Sequence, residues 1–391
     1  MSEIRVTNVI GENGSSPVNF TQGINMSGIV TATSFVPTVG QLSHRNLIIN
    51  GDMRVAQRSV GPVAVQEGSN ENYQTIDRVR FSFGNAAVGA ANVSQSTDAP
   101  TTLGFTKSHK VDVTTVNTTA TGQQLINIFY RIEGQDLRNS GWNHLSPSSF
   151  LTLSFYFKTT RTGTSKLPIA FRTRHGTNYY YIQNVTVTDP TNWNRYTVTI
   201  PGNSNLQIDD AITTGMDIFF SYYTGPDKDT SSEGSWSSTN AYSTSESTNY
   251  FDSTSNDMFI TGIQLEVGSV ATPFEHRSYC EELARCQRYY EKIPISINEI
   301  FHFNVNQFSS AGAIRFPFKV SKRAVPGAVS IDNASFDYYK VAGSGSNGQA
   351  NFTVTSFTTE AMEIKSTGAA ANGVFWCHKT ATGYIDASAD L

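Results

Sequence analysis

The chain has 391 residues and a formal net charge of −4, with a pI near 6.0. Its hydrophobic share of 38% and charged share of 15% are below the usual globular averages, whereas aromatic residues reach 12%. This balance argues against a nucleic-acid partner, because binding to a phosphate backbone requires clustered Lys and Arg. Aromatic residues among abundant Ser, Thr and Asn instead predict β structure with polar, uncharged surfaces, which suit sugars.

The sequence also bears on where the protein is made. No apolar run approaches the roughly 20 residues that a membrane helix needs, and residues 1–10 lack the apolar core of a signal peptide. Cys280 and Cys286 are six positions apart on one predicted helix, which separates their Cα atoms by about 9 Å, too far for a disulfide. We therefore expect these two cysteines and Cys377 to be reduced and buried, after synthesis in a cytoplasm.

Residues 1–45 contain short β-like runs separated by Gly, Asn and Pro. Their apolar content is too small for a core of their own. Such a segment becomes ordered by pairing with other copies or by docking on a larger body, and we expect it to be an extended attachment segment. The alternative is a disordered N-terminal tail.

Residues 46–277 show candidate strands at short spacing, with turn residues between them and no helical period of useful length. Phe150 to Lys158 alternates apolar and polar residues, while Met216 to Tyr223 is mostly apolar, as in a central strand. The pattern predicts one jelly-roll-like β-sandwich. A long polar stretch, Thr224 to Asp257, interrupts it. Because this stretch contains aromatic residues, we expect an ordered surface loop.

A short connecting helix is predicted for residues 278–292. Ser278 and Glu281 have capping-box spacing, and acidic residues at the N-terminus favour the helix dipole. Residues 293–391 then resume β-like alternation, as in Phe301 to Val305, and predict a small C-terminal β-sandwich. Apart from the helix, the whole chain is expected to be all-β.

Three phrases of the chain resemble bacteriophage tail-fibre and receptor-binding proteins. They are NLIINGDMRVAQR (46–58) with Asp77-Arg78 downstream, the turn and helix SVATPFEHRSYCEELARCQRYYEK (269–292), and the C-terminal TGYIDASADL (382–391). A fourth phrase, GINMSGIVTATSF (23–35), resembles repeats of phage virion proteins, especially those of marine phages. It points to a marine or cyanobacterial phage.

The resemblance carries several expectations. In the family, the turn and helix close one β-sandwich and join it to the next. It implies a homotrimer that attaches to phage tail or adaptor proteins through residues 1–45 and presents its β domains to the host. No coiled-coil heptads are present in the sequence, so the trimer rests on the family resemblance.

No catalytic motif is present: the sequence lacks a Walker loop, G-x-S-x-G, H-E-x-x-H and paired C-x-x-C. The enzymatic alternative is a glycan depolymerase, which needs two carboxylates facing each other across the bond. The candidate carboxylates are Asp209, Asp210, Glu233, Glu246 and Asp252, all in polar stretches. Depolymerase spikes are typically long β-helices, and no such repeat occurs here. We expect no enzymatic activity.

A metal site has weak support in the sequence. Asp227, Asp229 and Glu233 resemble a fragment of a calcium loop, but the glycine and further oxygen ligands of an EF-hand are not in register. Solvated turn carboxylates are the simpler interpretation. We expect neither a metal nor any other cofactor.

Sugar recognition combines aromatic faces, which stack on C–H surfaces, with amides and carboxylates that bond hydroxyl groups. The polar stretch described above offers both. The predicted glycan-binding residues are Trp236, Tyr242 and Tyr250, with Asn240, Asn249 and Asp252. Rival positions are Asn178 to Tyr181, Trp193-Asn194, and Tyr338, Tyr339 and Asn347. For each aromatic ring, core packing or a trimer contact is the alternative.

The sequence therefore predicts a virion tail fibre that adheres to a host surface glycan by multivalent, non-covalent binding. Neither a nucleic-acid partner nor membrane insertion is expected. Two alternatives stay open: a glycan depolymerase of the virion, and a purely structural fibre on head or neck without receptor binding.

Overall fold

β-Strands dominate the structure, which is a computed structural model of the chain. It describes residues 44–69, 72–85, 87–117, 122–295, 300–305, 312–331, 336–340, 348–349, 351–367, 375–379 and 383–390. The predicted attachment segment up to residue 43 lies outside the described residues, as does Asn347. All described residues belong to one compact unit.

The central strands form two antiparallel sheets of six strands each. The strands are β1 (Val63–Gln66), β2 (Arg80–Gly84), β3 (Ala90–Ser96), β4 (Ser108–Thr115), β5 (Leu125–Glu133), β6 (Phe150–Thr159), β7 (Ser165–Thr173), β8 (Tyr180–Val187), β9 (Asn194–Pro201), β10 (Thr214–Thr224), β11 (Trp236–Ser237) and β12 (Asp257–Val267). Sheet A has the order β1-β3-β4-β12-β6-β9, and sheet B has the order β11-β8-β7-β10-β5-β2. The predicted jelly-roll-like sandwich is confirmed.

The core lies between the two sheets because alternate residues of each strand point inward. On β6 the inward residues include Leu153 and Phe155, and on β10 they include Ile218 and Phe220, all fully buried. β10 lies between β5 and β7 and is covered on both faces, which explains its mostly apolar sequence. It is the central strand that the sequence predicted.

Within the described residues, two short α-helices accompany the strands: α1 (Gly134–Arg138) and α2 (Tyr279–Gln287). The Ser278 hydroxyl accepts a hydrogen bond from Glu281 N at 3.2 Å, so the predicted N-cap is confirmed. The predicted extent of 278–292 is wrong at its C-terminal end, because residues from Tyr290 onward pair as a strand. One five-residue turn, α1, is too short to show a helical period in the sequence.

The cysteines of α2 are both free, as predicted. Cys286 is buried, but Cys280 is exposed, so the expectation that both are buried is wrong for Cys280. Six residues turn an α-helix by about 600°, which places the two side chains on different faces. The Cys377 side chain lies outside the described residues.

The C-terminal strands are β13 (Tyr290–Ile295), β14 (Ile300–Val305), β15 (Gly312–Pro317), β16 (Ala328–Ile331), β17 (Phe336–Lys340), β18 (Gly348–Gln349), β19 (Asn351–Phe357), β20 (Ala361–Thr367), β21 (Phe375–Lys379) and β22 (Gly383–Ser388). They form a three-stranded sheet, β13-β22-β16, and a seven-stranded sheet, β18-β17-β21-β14-β15-β20-β19. Phe318, Met362, Ile364 and Ile385 form a small core there. Within the described residues, no helix combines the length and apolar character needed to span a membrane.

The phrase at residues 46–58 lies against the last strand of sheet A. Leu47 N donates to Leu265 O, and Ile263 N donates to Gly51 O, both at 2.9 Å. A Cβ at Gly51 would lie 2.1 Å from Ile263 O, so only glycine allows this close approach. The opening of the domain is therefore held by its closing strand.

The turn and helix hold the same phrase from the other side. Glu275 accepts hydrogen bonds from the backbone of His44 and Asn46, at 2.5 and 2.9 Å. Arg277 Nη1 donates to Ile48 O at 3.1 Å, and buried Glu282 accepts from Asn50 N. These charged side chains thus satisfy backbone groups that have no strand partner.

All three recognised phrases meet at the junction between the sandwich and the C-terminal sheets. Arg58 pairs with Asp390 and lies 3.6 Å from the ring centre of Tyr290. Ala389 N donates to Tyr289 O at 2.7 Å. The guanidinium of Arg78, fully buried, lies 3.5 Å from the ring centre of Tyr289.

We expect Arg78→Ala to lower the free energy of unfolding by about 3–5 kcal/mol, because it removes a buried cation–π contact and leaves a cavity. Urea denaturation with an unchanged m-value would measure this loss. The matched control is Arg161→Ala, which breaks an exposed pair with Asp252 and should cost about 1 kcal/mol or less. Equal losses in the two variants would contradict a special role for Arg78.

Asp77→Asn should gain stability relative to the wild type as pH rises from 4 to 7. Burial raises the pKa of Asp77 from 3.8 to about 6, against the lowering influence of Arg58 and Gln57. A carboxyl group with a raised folded pKa stabilises the fold fully below its unfolded pKa and loses that contribution as pH rises through the folded pKa. The difference in unfolding free energy should shift by about 3 kcal/mol. A pH-independent difference would refute this assignment.

Candidate carbohydrate site

The outer face of sheet B carries a second apolar cluster, separate from the core. Its strand residues are Phe129, Ala170, Tyr180, Ile182 and Phe219. The long segment between β10 and β12 covers them with Ala241 and Tyr242. The Tyr242 ring centre lies 4.8 Å from that of Phe219 and 5.6 Å from that of Tyr180, both edge-on. The segment is therefore packed onto the sheet by aromatic contacts.

Backbone hydrogen bonds fix this segment along its length. Gly234 N donates to Ile182 O, Tyr242 N to Lys228 O, and Tyr250 N to Tyr222 O, at 2.8–2.9 Å. β11 within it pairs with β8 at the edge of the sheet. The prediction of an ordered surface loop is confirmed.

A cavity of about 220 Å³ lies between this segment and the outer face of sheet B. It is lined by Pro168, Ser221, Tyr223, Thr224, Pro226, Asp229, Thr244, Ser245, Ser247, Thr248 and Asn249. Pro226 and Ser245 are exposed, so the cavity opens to solvent. Sites for drug-sized ligands hold about 300–1,000 Å³, so this one suits a single small unit such as one sugar ring.

Some polar groups of the cavity are already used by the fold. Thr244 Oγ1 accepts from Asn184 Nδ2 at 2.7 Å, and Thr248 Oγ1 accepts from Lys166 N at 2.8 Å. One polar group of the lining is available to a ligand: the buried Thr224 Oγ1 has no hydrogen-bond partner among the described residues. These bonds hold the wall in shape, while the remaining hydroxyl can serve a ligand.

Asp229 adds a carboxylate to the cavity. Its Oδ1 accepts a hydrogen bond from Ser243 Oγ at 2.6 Å, and within the described residues nothing bonds its Oδ2. Burial raises the pKa of Asp229, although the Ser243 hydrogen bond lowers it. A carboxylate oxygen in a cavity lined by hydroxyls is a strong acceptor for a sugar hydroxyl.

Of the predicted aromatic residues, two are buried by the fold. Tyr250 has no exposed surface; its ring packs against Phe157 and Tyr222, and its hydroxyl shares a hydrogen bond with Ser165 Oγ at 2.9 Å. Tyr242 is 4% exposed and covers the outer cluster. Neither ring offers a free face for stacking on a sugar, because packing already uses it.

Trp236 is half-buried at the sheet edge. Its ring centre lies 5.4 Å from that of Tyr181, and its Nε1 donates to Pro201 O at 2.7 Å. This ring seals the end of the core between β8 and β9, so its first role is in packing.

The predicted polar residues are scattered. Asn249 lines the cavity, where its Nδ2 donates to Asn117 O at 2.8 Å. Asn240 is exposed away from it, and exposed Asp252 pairs with Arg161 at 3.2 Å. The structure thus brings only Asn249 of the six predicted residues to the cavity.

No family model matches the sequence, and no curated protein matches it. Among solved structures, the enzymatically active domain of bacteriophage CBA120 tailspike protein 4 is 13% identical, with a TM-score of 0.29; the match covers 57% of this chain and 21% of that one. The family 11 carbohydrate-binding module of a Clostridium thermocellum cellulosomal cellulase is 14% identical, with a TM-score of 0.28, covering 55% and 100%. Likeness at this level assigns no function.

A third similar structure is the xylan-binding CBM22-1 domain of Paenibacillus barcinonensis, with 11% identity, a TM-score of 0.26, and coverage of 49% of this chain and 87% of that one. Like the two other matches, it is a similarity that assigns no function. The chain spans only about a fifth of the tailspike, 21%.

The carboxylates considered for catalysis are each held by a different partner. Asp209 lies 3.1 Å from His175 Nδ1, and Glu233 accepts from Asn184 N at 2.7 Å. Glu246 pairs with Lys166, and Asp210 accepts weakly from Asn139 Nδ2 at 3.5 Å. Nor do His, Cys, Asp or Glu side chains cluster as a metal site within the described ranges.

The rival aromatic positions are also packed. Tyr180 and Tyr181 are buried, and the Trp193 Nε1 donates to Asp98 Oδ1 at 3.0 Å. The side chains of Tyr338 and Tyr339 lie outside the described residues. The cavity could not be predicted from the sequence because its hydroxyls come from β10 and from residues 244–248, which only the fold brings together. The density of Ser and Thr after Thr224 was the available signal.

Trp236→Ala should destabilise the fold by about 2–3 kcal/mol, since it removes a half-buried indole that packs on the core. Trp236→Phe keeps the ring contact and should cost about 1 kcal/mol for the lost hydrogen bond to Pro201. Urea denaturation of both variants tests this order. Two variants as stable as the wild type would show that the indole is not structural.

Proposed function

We propose that this chain is a bacteriophage tail fibre that binds a glycan of the host cell surface through the cavity on sheet B. The proposal of glycan binding rests on the cavity, a small opening lined by hydroxyls, an amide and a carboxylate. Sugar hydroxyls both donate and accept, so such a wall matches them group for group. The three phrases that resemble phage fibre proteins support the virion part.

The unpaired Thr224 hydroxyl adds to this proposal. A buried polar atom without a partner costs free energy, and a ligand that supplies the missing bond recovers it. Among the lining residues, exposed Pro226 offers apolar surface for the C–H face of a sugar. Binding is non-covalent, and no bond of the glycan is broken.

Adhesion in this proposal comes from many copies of one weak binding site. A single cavity of this size gives weak binding, and a homotrimer carried in several copies on one particle converts weak sites into high avidity. Residues 1–45 attach the fibre to tail or adaptor proteins in this proposal. Light scattering coupled to size exclusion tests the trimer: the mass should be about three times 42.8 kDa, and a monomer would contradict it.

Thr224→Val should weaken glycan binding about tenfold, because it removes one hydroxyl at constant shape and leaves the sugar hydroxyl unpaired. Asp229→Asn should weaken it similarly. The matched control is Thr197→Val on β9, an exposed hydroxyl of sheet A. A glycan array identifies the strongest saccharide, and calorimetry on the full chain measures each variant.

Failure of the folded wild type to bind host cells or any saccharide would contradict the proposal and favour a purely structural fibre. Equal losses in Thr224→Val and Thr197→Val would remove the cavity as the site. Reducing sugars released from host polysaccharide by the purified chain would instead favour the depolymerase alternative.

A further inference from the structure

Within the described residues, Asp229 is the only charged side chain that lines the cavity on sheet B. It is half-buried. Backbone hydrogen bonds fix the chain on both sides of it: Tyr242 N donates to Lys228 O at 2.8 Å, and Thr230 N donates to Ser243 O at 2.9 Å. The fold therefore holds the carboxylate in place before any ligand arrives, which lowers the entropy lost on binding.

No cation of the described residues balances the charge of Asp229. Burial raises the pKa of this carboxyl group, and the one opposing influence is the hydrogen bond from Ser243. A Lys or Arg close to the carboxylate would also lower that pKa; none does, and the preceding residue, Lys228, is no exception. Lys166 on β7 is paired with Glu246. The carboxylate is thus partly desolvated without a counter-ion, and a bound cation would offset the cost of that desolvation.

Several hydrogen-bond donors of the cavity wall are already used by the fold. Ser247 Oγ donates to Asn184 Oδ1 at 3.0 Å, and Ser221 Oγ donates to Tyr242 O at 3.4 Å. The Nδ2 of Asn249 donates to a backbone carbonyl at 2.8 Å. A hydroxyl group has a single proton, so the two serines can offer a ligand only the lone pairs of their oxygens. The wall is therefore richer in acceptors than in donors.

The acceptors that remain suit a positively charged donor. Asp229 Oδ1 accepts from Ser243, whereas Oδ2 is bonded to no described residue, and the buried Thr224 Oγ1 likewise has no partner among them. An ammonium group has three donors and no acceptor, and it carries the charge that would balance the carboxylate. A hydroxyl group brings one donor and no charge. Of the groups that sugars carry, the protonated amine matches this wall best.

We infer that the cavity binds an amino sugar, with the ammonium group of one ring beside Asp229. The inference rests on the proposed function and names the class of its ligand. The volume of about 220 Å³ suits one sugar ring. Because the cavity opens to solvent beside Pro226 and Ser245, the rest of a longer glycan can lie outside it.

Ligand-observed NMR titration of the full chain tests the inference with matched sugars. The probes are the methyl glycosides of glucose, galactose and mannose, each compared with its 2-amino and its 2-acetamido derivative, so that only one group differs within a set. At about pH 6.5, where the amine is protonated, the amino form of the set that binds best should bind at least about tenfold more tightly than its hydroxyl and acetamido forms. Added salt should reduce this preference.

Asp229→Asn should abolish most of the preference for the amino form, because asparagine has the same size and keeps an oxygen for Ser243 but lacks the charge. The matched control is Asp227→Asn, which makes the same charge change two residues earlier. Asp227 is exposed and lies outside the cavity lining, so its variant should keep the preference. Urea denaturation confirms that both variants are folded.

Equal affinity for the amino and hydroxyl forms would overturn the inference while leaving the proposed function intact, and so would a chain that binds host cells but none of the amino sugars. Equal effects of the two substitutions would overturn it too, because net charge alone would then explain the preference. Saccharide binding that requires added calcium and is lost in Asp229→Asn would overturn it by assigning the carboxylate to a metal ion. Absence of binding to every saccharide and to host cells would remove the proposed function as well.

Discussion

The buried guanidinium of Arg78 fixes how the sandwich meets the C-terminal sheets. Burying a cation is costly unless its surroundings stabilise the charge. Here the Tyr289 and Tyr130 rings lie 3.5 and 5.0 Å away, and Arg131 O accepts from Nη2 at 2.5 Å. Those surroundings exist only when β5 and the end of α2 are both in place. Formation of the junction and folding of the sandwich are therefore coupled.

The coupling extends along the chain after Arg78. Tyr289 Oη donates to Glu133, which also pairs with Arg288, and the next residue, Tyr290, begins β13. Buried Lys322 then pairs with buried Glu291 at 2.6 Å. Removing one partner of such a pair costs more than the pair contributes, so the network specifies one arrangement and resists partial formation.

Much of the fold could be predicted from the sequence, because burial on one face imposes alternation on a strand. Phe150 to Lys158 and Met216 to Tyr223 became β6 and β10, and Ser278 capped its helix. The end of that helix was missed, since Tyr290 suits either a helix face or a strand and only pairing with β22 decides. Likewise, left-handed backbone at Met53 and Arg78, with φ of 60° and 72°, has no sequence signal.

The site was predicted less well, for a physical reason. An irregular segment has no period, so nothing in its sequence tells which aromatic ring turns inward. Tyr242 and Tyr250 turned inward because sheet B offered an apolar outer face and the core offered a gap.

The outer faces of the two sheets contact different parts of the molecule. On β12 of sheet A, Gln264 and Glu266 are buried under the turn before α2: Gln264 Oε1 accepts from Glu275 N, and Glu266 accepts from Thr272. The outer face of sheet A therefore packs under this turn, whereas that of sheet B carries the cavity. Sites that share no partners contribute independently to stability. Substitutions around the cavity can therefore change its lining while the junction between the sandwich and the C-terminal sheets is left intact.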